Sequence, residues 1–551
     1  MKNIYKNAIR LITVLLLSIA LSSCFKDLGS YDYTEINEIS ISGINNIDAP
    51  YNVSLGDSLK ITPELNFSAG ENHDTYKYEW HLMGSTSTGS IPWTSHGVIS
   101  SERNLRITIG GFVTSSGSYY IMYCVTNLTT GIRYDHLFQI DVRDRMLTGY
   151  IMLCERENDS FDIDLISLYS DTLTQYHNVL DIYDSQYPRD GRKPIDLLCY
   201  GDYISPSVTG AAITGVKKYA IWILTDKSTD RVRVENFEYQ PDFDISGLSI
   251  MPSRILPKGT PLIAEKLVST SAHSTTAGAN YMLFNGNWYY YNWQLSGYFY
   301  NLPINALSDL EEPYKASPFI CMRAVYGAVI FDETHNRFEW HKATSSELTG
   351  DSKNLYKTTR LTDQTYFDWQ NPDYRLVYLA NRNATTGFAV VKNVGTGRYE
   401  FLQMSIAATV AQLGHAIFPA GFNPEEIEHW GYHPTLPYLY AATDDKVYKL
   451  NTTTMAVEDI TSQVLTAGHK VSKLKNSAIR FPRTGLIVIA TYDPSGAAGQ
   501  NGQLALYEVE DGTGNLILAK HPVAPTTTGY QINMKWSGFG KIINVDYKQP
   551  A

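Results

Sequence analysis

The chain holds 551 residues, 43% hydrophobic and 18% charged, with 40 Tyr, 19 Phe and 9 Trp beside 39 Gly and 23 Pro. That is more chain than one core usually organises, too polar for a polytopic membrane protein, and richer in strand and turn formers than in helix formers. Its formal charge is −11 and it has no run of Lys or Arg, which argues against nucleic acid as a partner, because phosphate binding needs clustered cations.

The first 23 residues read as an export signal. Lys2, Lys6 and Arg10 form a positive start, and without these three cations the remaining charge is −14. Leu11 to Leu21 form an apolar stretch of signal-peptide length, too short for a spanning helix, which needs about 20 apolar residues. Leu21-Ser22-Ser23-Cys24 follows and resembles a bacterial lipobox, in which the cysteine is acylated and becomes the mature N-terminus. Several acyl chains on Cys24 would hold the protein firmly, since each buried CH₂ contributes ~0.8 kcal/mol. Residues 24–36 are then a lipidated tether. Its Lys26-Asp27 pair is similar to surface-export signals of Bacteroidota lipoproteins, so an outward-facing position on the outer membrane is expected, with a periplasm-facing one as the alternative.

Residues 37–143 are expected to form one β-sandwich. Ile39 to Ile41 and Ser58 to Ile61 read as strands, and Tyr76, Tyr78, Trp80 and Leu82 alternate onto one face of another. Gly117-Ser118-Tyr119-Tyr120 leads into a late strand through Cys124. A Trp on a middle strand and a Gly-x-Tyr-Tyr entry match the immunoglobulin-like pattern, and this stretch resembles PKD-type domains. No second cysteine is placed to bridge Cys124, so packing alone must hold the sandwich. Cys154, Cys199 and Cys321 show no metal or redox spacing and read, like Cys124, as buried thiols.

Residues 144–551 change to recurring hairpins, beginning near 150, 219, 281, 326, 376, 438 and 486. Their spacing of 45 to 69 residues compares with ~40–50 residues for a propeller blade before insertions. One turn, Asn285-Gly286, is a strong two-residue hairpin signal. Hairpins of this kind bury their apolar faces by radial stacking, so the expected fold is all-β: a sandwich followed by a β-propeller of seven or eight blades. Phe539 to Val545 is a last strand positioned to close the ring against residues near 145.

Cys24-Phe25-Lys26-Asp27-Leu28-Gly29, Tyr31-Asp32-Tyr33, Tyr78-Glu79-Trp80, Gly149-Tyr150-Ile151-Met152-Leu153 and Gly538-Phe539-Gly540-Lys541-Ile542 together resemble the PKD-like family of Bacteroidota lipoproteins. The resemblance implies a cell-envelope lipoprotein, often encoded beside SusC/SusD-type uptake pairs, that handles an extracellular glycan or peptide. It carries no agreed catalytic residues.

Chemistry-bearing motifs are sparse. His429 and His433 lie four apart, but Gly431 and Pro434 oppose a helix, and on a strand they would sit ~13 Å apart, too far to share an ion. Gly210 to Gly215 has the outer glycines of a phosphate loop without its Lys-Ser/Thr. Glu155, Glu157, Asp159, Asp162 and Asp164 lack the mid-loop Gly of a calcium site and read as a solvated hairpin tip. No metal, cofactor or catalytic residue is assigned. The positive signal is aromatic: seven rings fall between Tyr281 and Trp293. Tyr289, Tyr291 and Trp293 share one strand face and Trp288 the other. These four are candidate ligand-binding residues for stacking on sugar rings, and inter-blade packing is the competing account. The expected function is a non-catalytic binding or accessory component of a nutrient-uptake system. An envelope interaction scaffold and a propeller glycosidase or lyase are the alternatives.

Overall fold

A computed structural model describes residues 36–71, 74–85, 95–110, 113, 116–143, 146, 148–167, 173–203, 218–249, 251–269, 280–291, 300–307, 312–323, 327–342, 357–407, 409–477, 481, 483–522 and 531–548. The signal segment, Cys24, the glycine-rich stretch at 210–215 and Trp293 lie outside them.

The N-terminal strands form a sandwich. Tyr51–Ser54, Arg133–Arg143, Gly117–Asn127, Tyr76–Ser85 and Gly97–Ser100 make a five-stranded sheet in that spatial order, the first pair parallel. Two short pairs, Ile39–Ser42 with Glu64–Phe67 and Ser58–Ile61 with Leu105–Thr108, form the opposing layer. Trp80 is fully buried between them, 4.2 Å from the Tyr123 ring centroid and edge-on to Phe138, with its indole N–H donating to Glu102 O at 2.8 Å. Alternation places Tyr123 in this core, whereas Cys124 points to the other face with Met83 and Met122. A B-to-F disulfide of the immunoglobulin type is thereby impossible here, and all four described cysteines are buried and form no disulfide.

Among the described residues seven blade sheets follow the sandwich and close into a ring, with a separate two-stranded pair, Lys520–Pro522 and Gln531–Asn533, beside blade seven in the chain. The innermost strand of the first blade comes from the C-terminus: Ile542–Lys548 pairs antiparallel with Gly149–Glu155, which continues to Phe161–Ser167 and Thr174–Tyr176. Blade two is Pro194–Tyr203, Lys218–Thr225 and Thr229–Arg233, and blade three is Lys266–Ser269, Asn280–Phe284 and Asn287–Tyr291. Blade four runs Ala316–Met322, Ala328–Asp332, Arg337–His341, Thr359–Arg360. Blade five runs Tyr374–Asn381, Thr386–Asn393, Arg398–Ile406, Val410–Ile417. Blade six is His429–Tyr432, Tyr438–Ala442, Val447–Asn451 and Val457–Asp459, and blade seven is Lys470–Asn476, Leu486–Tyr492, Gly502–Val509 and Leu516–Leu518. Six of the seven hairpins read from sequence begin on the second strand of a blade. The one near 376 begins on the first strand of blade five, because that edge strand is itself apolar.

Second strands are buried on both faces, which explains their continuous apolar runs such as Tyr150 to Cys154 and Leu486 to Ala490. Side chains also fasten each blade to the next. The Cys199 N–H donates to Asp546 Oδ2 (2.7 Å), Ala264 N–H to Thr229 Oγ1 (2.9 Å), and the Trp288 indole N–H to Ser317 O (2.9 Å). The Asn381 amide donates to Met322 O (2.6 Å) and accepts the Met322 N–H (2.8 Å), copying a strand pair between blades four and five. Arg382 Nε donates to His433 O (3.0 Å), the Asn476 amide to Tyr432 O, and Lys475 Nζ to Val545 O, completing the circuit.

The sandwich is welded to the first blades. Its core is continuous with Tyr176, Val179, Leu180, Tyr183 and Phe237. A Cβ on Gly110 would stand 2.4 Å from Ile182 O, so no side chain fits there. The acids of the first hairpin are corrected in part. Glu157 and Asp159 are exposed at the tip, but Asp162 and Asp164 are buried. Arg189 and Arg156 pair with them, and the Leu180 and Asn178 N–H groups donate to them at 3.0 Å, which docks the 177–189 loop.

Two predictions follow from these contacts. Deleting Ile542–Lys548 removes an edge that buries Ile542 and Val545, each worth roughly 1.5–3 kcal/mol. The truncated chain is expected to lose its cooperative melt by circular dichroism and to aggregate on size-exclusion chromatography. Gly110→Val is expected to cost about 1–3 kcal/mol by overpacking, read as a lower Tm and faster protease cleavage between the sandwich and the ring.

Candidate functional site

The aromatic run from Tyr281 to Tyr291 is a core, not a platform. Tyr289 and Tyr291, each 1% exposed, face blade two with Trp222 and Phe243. Trp288, fully buried, faces blade four with Tyr281, Tyr290, Ile320 and Met322. A middle blade strand is covered on both sides, so aromatic rings on both faces are what the ring requires. Three of the four candidate residues are therefore removed from ligand contact, and the fourth, Trp293, lies outside the described residues. His429–Tyr432 is a strand, and the His433 Nδ1 accepts the Leu436 N–H at 2.8 Å, which uses that nitrogen structurally.

A different site is assembled at the ring axis. A cavity of about 250 Å³ is lined by Lys266 and Val268 from blade three, Ile320 and Met322 from blade four, Tyr378 and Asn381 from blade five, Trp430 and Tyr432 from blade six, and Lys475 and Asn476 from blade seven. Blades three and seven stand on opposite sides of a seven-membered ring, so a cavity touched by both is axial. Its residues lie mainly on innermost strands. A larger cavity of about 450 Å³ sits on the rim between blades five and six, around Phe422, Asn423 and Tyr448, and its Glu426 is already bonded by the Asn423 amide at 3.0 Å.

The axial cavity has an apolar wall and polar corners. Tyr378 and Trp430 lie ring to ring at 5.9 Å and 27°, with Phe319 edge-on to Tyr378. Lys266 reaches Pro318 O at 3.3 Å and lies over the Phe319 ring. Burial pushes its ammonium down to about 8, with Asp196 opposing and Lys473 adding to that shift. His429 is pushed down to about 4 by burial and by the same Lys473, so it is neutral at pH 7. Among the described residues, neither Lys266 nor Lys473 makes an ion pair, and Asp196 already accepts the Asn544 amide and the Leu197 N–H. The arrangement offers lysine ammonium groups beside the half-buried Tyr378 ring, which is the composition of a small-ligand site, while the Asn381 and Asn476 amides are given to the carbonyls of neighbouring blades. Tyr378, Asn381, Lys266 and Lys475 were missed from sequence because each looks like an ordinary strand residue. The signal that locates them is indirect: the strand before each apolar hairpin, or in blade five the first strand of the hairpin itself, faces the axis.

Lys266 gives a signed test. An unfolded Lys keeps its proton to about pH 10.4, whereas the folded one releases it near 8. The unfolded state therefore binds more protons between these values, and stability rises with pH across that window. Lys266→Met is expected to raise Tm at about pH 7 and to flatten the rise between about pH 8 and 10, both read by differential scanning calorimetry. A lower Tm at pH 7 would contradict this account.

Comparison with known proteins gives a family for the N-terminal part: residues 24–188 match the PKD-like family, which takes in the sandwich and the first hairpin of the ring. No curated protein matches the chain significantly. Among solved structures, a quinoprotein alcohol dehydrogenase-like protein from Bacteroides thetaiotaomicron is similar over 90% of this chain and 96% of its own, at 11% identity and a TM-score of 0.39. The PKD domain of human KIAA0319 aligns with 21% of this chain and 90% of its own length, at 17% identity and a TM-score of 0.16. The WD40 domain of SCAP from fission yeast aligns with 71% of this chain and 79% of its own, at 10% identity and a TM-score of 0.24.

Proposed function

We propose that this protein is a lipid-anchored binding component of the outer membrane, facing outward and serving a SusC/SusD-type uptake system for an extracellular glycan or peptide without catalysing its breakdown. The Leu21-Ser22-Ser23-Cys24 sequence supports the anchor, and the match of residues 24–188 to a PKD-like family supports an extracellular setting. The observation that carries the binding role is the axial cavity, where Tyr378, Trp430, Asn381 and Asn476 converge from three blades. An aromatic face beside lysine ammonium groups suits a ligand that is apolar on its ring faces and polar at its edges, as a sugar is. In this reading the sandwich is a rigid stalk, since its core continues into the ring.

Two experiments test the proposal. The full-length protein, purified in detergent, is titrated against a panel of polysaccharides and host glycoproteins, with Tyr378→Ala alongside and a thermal melt to check folding. A retained ligand is expected to bind about tenfold more weakly to the variant, the loss of roughly 1–1.5 kcal/mol for one stacking ring. Failure to bind any member, or release of new reducing ends or peptides on incubation, would overturn it. Cys24→Ser is expected to shift the protein from the detergent to the aqueous phase and to abolish palmitate labelling, and retention in the detergent phase would remove the anchor.

A further inference from the structure

The axial cavity is lined by lysines in a chain that is acidic as a whole. The whole chain is at −11, yet two lysines, Lys266 and Lys475, line one small cavity and a third, Lys473, lies near enough to act on Lys266. Lys266 and Lys475 line it directly from blades three and seven. Lys473 stands two residues before Lys475 on the same strand and is close enough to Lys266 and His429 to repel a proton from both. The charged groups facing Lys266 are Asp196 from blade two and Lys473 from blade seven, while blade four offers it only Pro318 O and the Phe319 ring. The Asp196 carboxylate acts on Lys266 while also accepting the Asn544 amide and the Leu197 N–H, so the three lysines outnumber this one acid. Like charges held together in a half-buried space repel one another, and such an arrangement persists where an anion offsets it on binding. Walls of low dielectric strengthen that attraction relative to open solvent.

At about 250 Å³ the cavity admits a monosaccharide-sized group rather than a polymer segment, since larger ligands use pockets of about 300–1,000 Å³. The half-buried Tyr378 ring, backed by Trp430, supplies the apolar face, and Lys475 lies on the same lining. Building on the capture role above, we propose that the axial cavity is a receptor for one acidic sugar residue, its carboxylate seated between Lys266 and the Lys473–Lys475 strand and its ring face on Tyr378. The ligand class is thereby a uronate-bearing glycan, recognised through a single residue or chain end.

Because Lys266 is partly deprotonated near pH 8, an incoming carboxylate draws a proton onto it, and affinity falls as pH rises above that value. The test is calorimetric titration of the full-length protein in detergent with digalacturonate, with galactobiose as the neutral counterpart and sodium sulfate as an anion without a sugar ring. Digalacturonate is expected to bind about tenfold or more tightly than galactobiose at low salt, the gain of one charge-assisted contact. At about pH 8.5 binding is expected to take up protons, seen as a dependence of the heat on buffer ionisation enthalpy. Lys266→Met is expected to erase the preference for the acidic sugar while raising Tm, which separates lost recognition from lost folding. Lys473→Met is expected to weaken digalacturonate binding without raising affinity for galactobiose. Equal affinity for both sugars, with loss in Tyr378→Ala, would overturn the acidic assignment and leave the capture role standing. Sulfate binding as tightly as digalacturonate would overturn the sugar assignment. No binding of either sugar would overturn the receptor proposal, and the polymer panel above then decides the capture role separately.

Discussion

Antiparallel pairing of Ile542–Lys548 with Gly149–Glu155 is the contact on which the ring depends. Each of the seven sheets is apolar on both faces, so none is stable with a face open to water, and a linear stack would leave two such faces exposed. Drawing the last strand of the chain into the first blade makes the two chain-distant ends one sheet and removes both open faces together. The cost is loop-closure entropy over nearly four hundred residues, but that entropy grows only logarithmically with length. Burial of Ile542, Val545 and Tyr547 against Tyr150, Trp536 and Phe539 opposes it locally, and the other interfaces add to it.

Closure also explains why so many blade contacts run from side chain to backbone. Innermost strands of neighbouring blades belong to separate sheets with no ladder between them, leaving carbonyls such as Met322 O, Tyr432 O and Val545 O facing the next blade. Asn381, Asn476 and Lys475 satisfy them across the gap. The same geometry leaves room at the centre. Where inner strands diverge, residues of five blades border a space that no single blade could enclose.

The sandwich is joined to this ring by apolar packing rather than by a free linker. Its Leu55, Leu105 and Ile109 share a core with Tyr176, Val179 and Tyr183 of the first blade, and Gly56 and Gly110 permit backbone approach there. A stalk of this kind fixes the ring's orientation relative to the chain's N-terminus. The axial lysines stand against that otherwise acidic body, and Lys266 occupies a position where its charge costs stability, as groups shaped for binding often do.

Local pattern made much of the architecture legible. Alternation at Tyr76 to Leu82 placed Trp80 in a core, Asn285-Gly286 gave a tight turn with both residues at positive φ, and seven apolar hairpins implied radial repetition. These features depend on neighbours within a dozen residues. Aromatic richness around Trp288 was legible too, but its meaning was not, because strand periodicity assigns residues to two faces without saying what covers either face. The blades on each side decided that Trp288, Tyr289 and Tyr291 are core. Lys266, Tyr378, Trp430 and Lys475 are separated by scores of residues and meet only once the ring closes. Sequence by itself determined an acidic, all-β chain with a sandwich and a series of hairpins, since those rest on short-range periodicity and turn chemistry. The tertiary structure alone decided which strand faces the axis, and therefore which side chains form a cationic, aromatic cavity, because that depends on long-range closure that no local pattern encodes.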